Sequence, residues 1–189
     1  MHMKKSILLV DCGSDKTKAI QDCLNELNYK YETIPFTLLP GLEADEYHGI
    51  IISGSPTLIA ENNPFISYFS FLKSYKNPVL GICFGHQVIG AIFGAEVYTI
   101  PEDREEREIE IVTSSVIFNQ VPLPMVMQED HTEAVKVPED FNLLAKSATC
   151  DNEAMQHKFL PIFGVQFHPE VSGRQGLTVI NSFCKLTRN

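Results

Sequence analysis

One cysteine in this chain stands where a thiol could act as a nucleophile. Cys83 follows the apolar run Pro78-Val79-Leu80-Gly81-Ile82 and precedes Phe84-Gly85-His86-Gln87, with a glycine two residues to either side. Nothing polar interrupts the run, so it reads as a fully buried strand, and Val88, Ile89 and Ile92 continue at helical spacing. Cys83 therefore falls at a sharp strand-to-helix turn. Such a turn holds a nucleophile at the open edge of a sheet, and small neighbours let the backbone close tightly. The following helix start offers unpaired N–H groups and a partial positive charge, which favour the attacking thiolate and suit the oxyanion of a tetrahedral intermediate. The alternative for a cysteine after a strand is a small core residue. A nearby base decides between them.

Six histidines are available. His2 belongs to the start of the chain, and His48 and His157 read as solvent-exposed at strand edges. His86, three residues past Cys83 on the same helix, should point into packing. His168 is the better base. It ends the buried run Ile162 to Phe167; Pro169 stiffens the backbone after it, and Glu170 is placed to orient an imidazole. Thiol, imidazole and carboxylate together are the parts of a cysteine hydrolase. Without Cys83 the same residues would read as a solvated His-Pro-Glu turn.

The elements that must position these groups alternate. Lys5 to Asp11 is a buried-type strand ending in the Cys12-Gly13-Ser14 turn. A helix follows from Asp15, with Ile20, Cys23, Leu24 and Leu27 on one face. Tyr29–Ile34 and His48–Ser53 are further strands, the second stopping at Gly54-Ser55-Pro56. A helix over about Pro64–Ser74 leads back to the Cys83 strand. This order predicts an α/β fold whose mainly parallel sheet is covered on both faces, with ligands at the carboxyl ends of its strands. After Gly94 the candidate strands become shorter and more alternating: 95–100, 108–112, 124–128, 142–147, 153–157 and 162–167. The acidic 101–110 segment reads as a solvated loop and strand edge, and a last helix covers about 176–186. No linker or repeat divides residues 1–189, which are expected to form one domain.

Composition narrows the class. The chain has 189 residues, 44% hydrophobic and 21% charged, as ordinary globular proteins do. Its net charge of −9 and lack of a basic run argue against nucleic-acid or anionic-membrane partners. No apolar stretch is long enough to span a membrane, and Met1 to Lys5 does not open a signal peptide. Five scattered cysteines without a CxxC pair argue against disulfides or a metal site and for a cytoplasmic setting.

Gly81-Ile82-Cys83-Phe84-Gly85-His86-Gln87 together with Gly164-Val165-Gln166-Phe167-His168-Pro169-Glu170 resembles the class I (triad) glutamine amidotransferases. The resemblance covers essentially the whole chain. Within the family, 137–141 and 153–157 are similar to the separate glutaminase subunits of archaeal-type GMP synthases. It implies a flavodoxin-like three-layer sandwich with a small antiparallel extension, and hydrolysis of L-glutamine to glutamate and ammonia. Cys83, His168 and Glu170 would be catalytic, and the backbone N–H groups of Ser55 and Phe84 would hold the oxyanion. Gln87, Gly54 and His131 match glutamine-binding positions, and Glu133 a partner-contacting one. No cofactor or metal is implied in this chain; ATP and Mg would belong to a partner ATP-pyrophosphatase (synthetase) subunit that aminates xanthosine monophosphate (XMP) to GMP. The alternative is a stand-alone hydrolase of another γ-glutamyl compound, or the glutaminase of a different synthetase. Four segments depart from the family pattern: Ser55 replaces a glycine, Asp130-His131-Thr132-Glu133 replaces Ser-His-x-Asp, Asp15 stands where glutamine is usual, and Tyr-Gly is missing around Glu105-Glu106-Arg107.

Overall fold

The computed structural model describes residues 5–60 and 64–188; His2 lies outside them. The amino-terminal half alternates as its sequence predicts: β1 (Lys5–Asp11), α1 (Thr17–Glu26), β2 (Tyr31–Pro35), β3 (Tyr47–Ile52), β4 (Val79–Ile82) and α2 (Phe84–Ile92). The remainder comprises β5 (Val97–Asp103), β6 (Glu106–Ile111), β7 (Met125–Gln128), β8 (His131–Val135), β9 (Phe141–Lys146), β10 (Ala154–His157), β11 (Ile162–Val165) and α3 (Gly173–Leu186). One sheet runs β2-β1-β3-β4-β11-β10-β9-β6-β7, and β5 and β8 form a second, two-stranded sheet. The order β2 to β11 is parallel; from β11 onward the pairings are antiparallel.

Period-two alternation sorts β1 between two cores. Ile7 and Leu9 join Ile20 and Leu24 of α1 and Val179, Ile180 and Phe183 of α3 on one face. Leu8 and Val10 join Val88 and Ile89 of α2 and Phe69 and Leu72 on the other. Both faces of the parallel strands are thus covered, which is why these strands read as unbroken apolar runs. The result is a three-layer sandwich with a mainly parallel centre and an antiparallel extension.

Three features differ from expectation. The Pro64–Lys73 segment is a 3-10 helix, not an α-helix. Ser67, Ser70 and Ser74 hydroxyls each donate to the carbonyl three residues earlier, which suits the tighter winding. The acidic 101–110 segment is largely exposed, as expected, but it is ordered as the end of β5, a turn and β6. Asp103 within it is buried, receiving Arg107 Nε at 2.9 Å and the Thr149 hydroxyl at 2.7 Å. Finally, 131–135 is a strand, hidden in the sequence by its histidine and glutamate, whose partners lie far along the chain.

Candidate active site

The turn from β4 into α2 holds Cys83 at φ 50°, ψ −103°. Such a backbone costs a non-glycine residue about 1–3 kcal/mol and persists only where its surroundings enforce it. They do so here by close approach. A Cβ on Gly81 would stand 2.4 Å from the Gly85 carbonyl, and one on Gly85 would stand 2.5 Å from the Ile52 carbonyl oxygen. The Cys83 N–H donates to the Val165 carbonyl at 2.8 Å, tying the turn to β11. The thiol donates to the Asp130 carbonyl at 3.7 Å and accepts from Gln166 Nε2 at 3.6 Å. Phe84 begins α2, so its N–H is among the helix donors without an intrahelical partner.

Sheet register brings the base to the thiol. β11 lies parallel to β4 with Val165 opposite Ile82, so Cys83 and Gln166 leave the sheet side by side. His168 follows two residues later, its N–H bonded to the Gln128 carbonyl at 2.9 Å and its carbonyl receiving the Ser172 hydroxyl at 2.7 Å. His168 Nδ1 lies 2.7 Å from Glu170 Oε1, which leaves Nε2 for the Cys83 thiol. Both His168 and Glu170 are buried. Burial disfavours the imidazolium, but the Cys83 charge and hydrogen bond, together with Glu170, outweigh it and raise the His168 pKa well above 6.5. This arrangement stabilises the protonated His168 imidazole beside the thiol.

The thiol opens into a cavity of about 420 Å³ at the carboxyl ends of the parallel strands, lined also by Ser55, Gln87, Asp130, His131, Glu133 and His168. Ser55 has no positive φ, so the replacement of a glycine there carries no strain. Gly54 packs against the base: a Cβ there would stand 3.1 Å from His168 Cε1. Gln87 forms part of the cavity lining, with Nε2 donating to the Glu133 carbonyl at 2.8 Å and to Gln166 Oε1 at 3.2 Å.

Several predicted residues stand in unexpected surroundings. The Glu133 carboxylate is buried and accepts the N–H groups of Ile59 at 2.8 Å and Ala60 at 2.9 Å. It anchors the loop after Ser55. The His131 ring is turned inward: Nδ1 lies 3.0 Å from the Glu133 carbonyl and Nε2 3.1 Å from Glu129 Oε2. His157 is buried, not exposed, stacking edge-on with Phe93 and Phe141 while Nδ1 accepts two backbone N–H groups. His86 is packed inward as expected, and burial pulls its pKa down to about 3. Sequence reasoning gave Gln166 no role, although it contacts both Cys83 and Gln87. Its place in the motif beside His168 was the only available signal.

Behind the base lies a buried acid pair that the sequence did not reveal. Glu129 and Glu153 are both fully buried, and desolvation raises each to about 8. For Glu129, His168 pulls the other way, while for Glu153 the neighbouring Glu129 adds to the rise.

Comparison with known proteins agrees with this geometry. Residues 8–186 match the family profile "Glutamine amidotransferase class-I". The chain is 38% identical over 189 residues to a subunit of the glutamine-hydrolyzing GMP synthase of Pyrococcus furiosus, covering 95% of this chain and 97% of that protein. A candidate GMP synthase subunit from Thermoplasma acidophilum superposes with TM-score 0.87 at 30% identity, covering 99% of this chain and 95% of that one. A glutamine amidotransferase from Thermotoga maritima shares the fold with TM-score 0.74 at 23% identity, covering 93% and 80%.

Proposed function

This chain belongs to the class I glutamine amidotransferases, and on that premise we propose that it is the glutaminase subunit of a two-subunit GMP synthase. The observation that carries the reading is the buried Cys83–His168–Glu170 constellation, opening on a cavity at the strand ends. The Cys83 thiolate attacks the side-chain carbonyl carbon of L-glutamine. The backbone N–H groups of Phe84 and Ser55 receive the oxyanion. The His168 imidazolium protonates the amide nitrogen, ammonia leaves, and a γ-glutamyl thioester remains on Cys83. His168, now neutral and oriented by Glu170, takes a proton from water as it attacks the thioester. Collapse releases glutamate and restores the thiolate–imidazolium pair.

Ammonia then passes to a separate synthetase chain that uses ATP and Mg to aminate XMP, and this chain itself carries no cofactor. The names of its similar relatives, which are subunits of glutamine-hydrolyzing GMP synthases, support that acceptor. Unpaired cysteines suit a reducing cytoplasm. Among the described residues no helix is long and apolar enough to cross a membrane.

The test is ammonia release from glutamine by this chain, alone and with an ATP-pyrophosphatase subunit, ATP and XMP. Stimulated release with GMP formed is the expected result. Release that is unstimulated, with no GMP, assigns the triad to another acceptor.

A further inference from the structure

Two oppositely charged residues meet across the cavity that holds the thiol. Lys16 stands just before α1 and Asp130 just before β8, and Lys16 Nζ lies 2.5 Å from Asp130 Oδ2. Lys16 Nζ is also 3.2 Å from Asp15 Oδ1. Arg104 Nε stands 3.4 Å from Asp130 Oδ1, and its Nη2 2.8 Å from Glu102 Oε1. All five line the Cys83 cavity. The Lys16 and Asp130 side chains are only 19% and 35% exposed, so the pair forms cavity wall and not outer surface. Asp130 is fixed beside the nucleophile, because its own carbonyl oxygen takes the Cys83 S–H.

This placement has a chemical meaning. A γ-amide seated on Cys83 carries its α-ammonium and α-carboxylate at the far end of a short aliphatic chain, toward the cavity wall. The remaining acid in that lining, Glu133, is already engaged by the Ile59 and Ala60 amides. Partly desolvated charges are costly to leave unpaired, but exchanging one ion pair for two leaves none alone. A zwitterion can make that exchange; a ligand with a single charge cannot. Neutral polar side chains could not discriminate between the two.

We propose that Lys16 and Asp130 are the specificity-determining pair for an α-amino-acid head group, Lys16 receiving the carboxylate and Asp130 the ammonium of bound glutamine. The inference rests on the glutaminase reading above. It places specificity on two residues 114 positions apart, neither of which belongs to the triad.

The experiment compares ammonia release from glutamine, from 4-carbamoylbutanoate (no ammonium) and from 4-aminobutanamide (no carboxylate), with the synthetase partner present. In Asp130→Asn the preference for glutamine over 4-carbamoylbutanoate, as a ratio of kcat/KM, falls at least tenfold, chiefly through KM. In Lys16→Met the preference for glutamine over 4-aminobutanamide falls likewise. The double reversal Lys16→Asp with Asp130→Lys remakes the cross-cavity pair and recovers thermal stability, but it does not recover the KM for glutamine. Recovery of that KM, or equal losses on all three compounds, makes the pair a structural strap and overturns the proposal. Unaltered preferences in both single variants, with normal release from glutamine, overturn it alone. No release from glutamine by the unsubstituted chain overturns the glutaminase reading and this inference with it.

Discussion

Replacing Glu170 by glutamine tests the site most directly. The substitution keeps the shape of the side chain and removes one charge from a buried contact of 2.7 Å to His168 Nδ1. A hydrogen bond to a charged group contributes about 1.5–3 kcal/mol and a neutral one about 0.5–1.5 kcal/mol, so the change costs the imidazolium roughly 1–2 kcal/mol. At about 1.4 kcal/mol per factor of ten, kcat/KM should fall roughly 5- to 30-fold. The same difference lowers the His168 pKa by about one unit. Turnover needs the imidazolium to protonate departing ammonia, so activity is present below the raised pKa and lost as pH rises through it. The alkaline limb of kcat/KM therefore moves to lower pH by about one unit in Glu170→Gln. Ammonia release across the pH range reads both quantities. An alkaline limb that stays in place refutes the assignment of Glu170 as the group holding the imidazolium.

Cys83→Ala should abolish turnover yet still bind glutamine in a calorimetric titration. A diazoketone analogue of glutamine should label Cys83 alone by mass spectrometry, since burial raises Cys23 to about 11, Cys184 to about 12, and Cys12 and Cys150 further still. Gly54→Ala should displace the His168 ring, whose Cε1 lies 3.1 Å from the new Cβ position. Turnover then falls several-fold while the melting temperature changes little, and unchanged kinetics would show that the ring tolerates the contact. Glu129 keeps its proton to about pH 8 when folded but loses it near 4.5 when unfolded, so its contribution to stability is full at low pH and disappears as pH rises between those values. Glu153, Asp103, Arg107 and His168 act on the same carboxyl. The melting temperature should drop between about pH 4.5 and 8, and Glu129→Gln should flatten that drop; equal slopes in both proteins would place the titration elsewhere.

The sequence by itself determined the parts of this protein that depend on short stretches of chain. Apolar runs such as Ile7 to Val10 and Val79 to Ile82 announce buried strands because no polar atom interrupts them. Gly81 and Gly85 announce the nucleophile turn because only a bare backbone can approach so closely. Glu170 stands two residues from His168, so their contact is a property of one local turn. Tertiary structure decided everything that joins distant segments. The β4–β11 register set Cys83 beside Gln166 and within reach of His168. The burial of Glu133 and His131 cannot be read from their polar types, and it follows from the 59–60 backbone and Glu129, which stand against them in the fold. Lys16 and Asp130 lie far apart in the chain, and only folding sets them 2.5 Å apart beside the nucleophile. The physical reason is the same in each case: whether a charge is buried, paired or offered to a ligand depends on groups that only the folded chain brings near it.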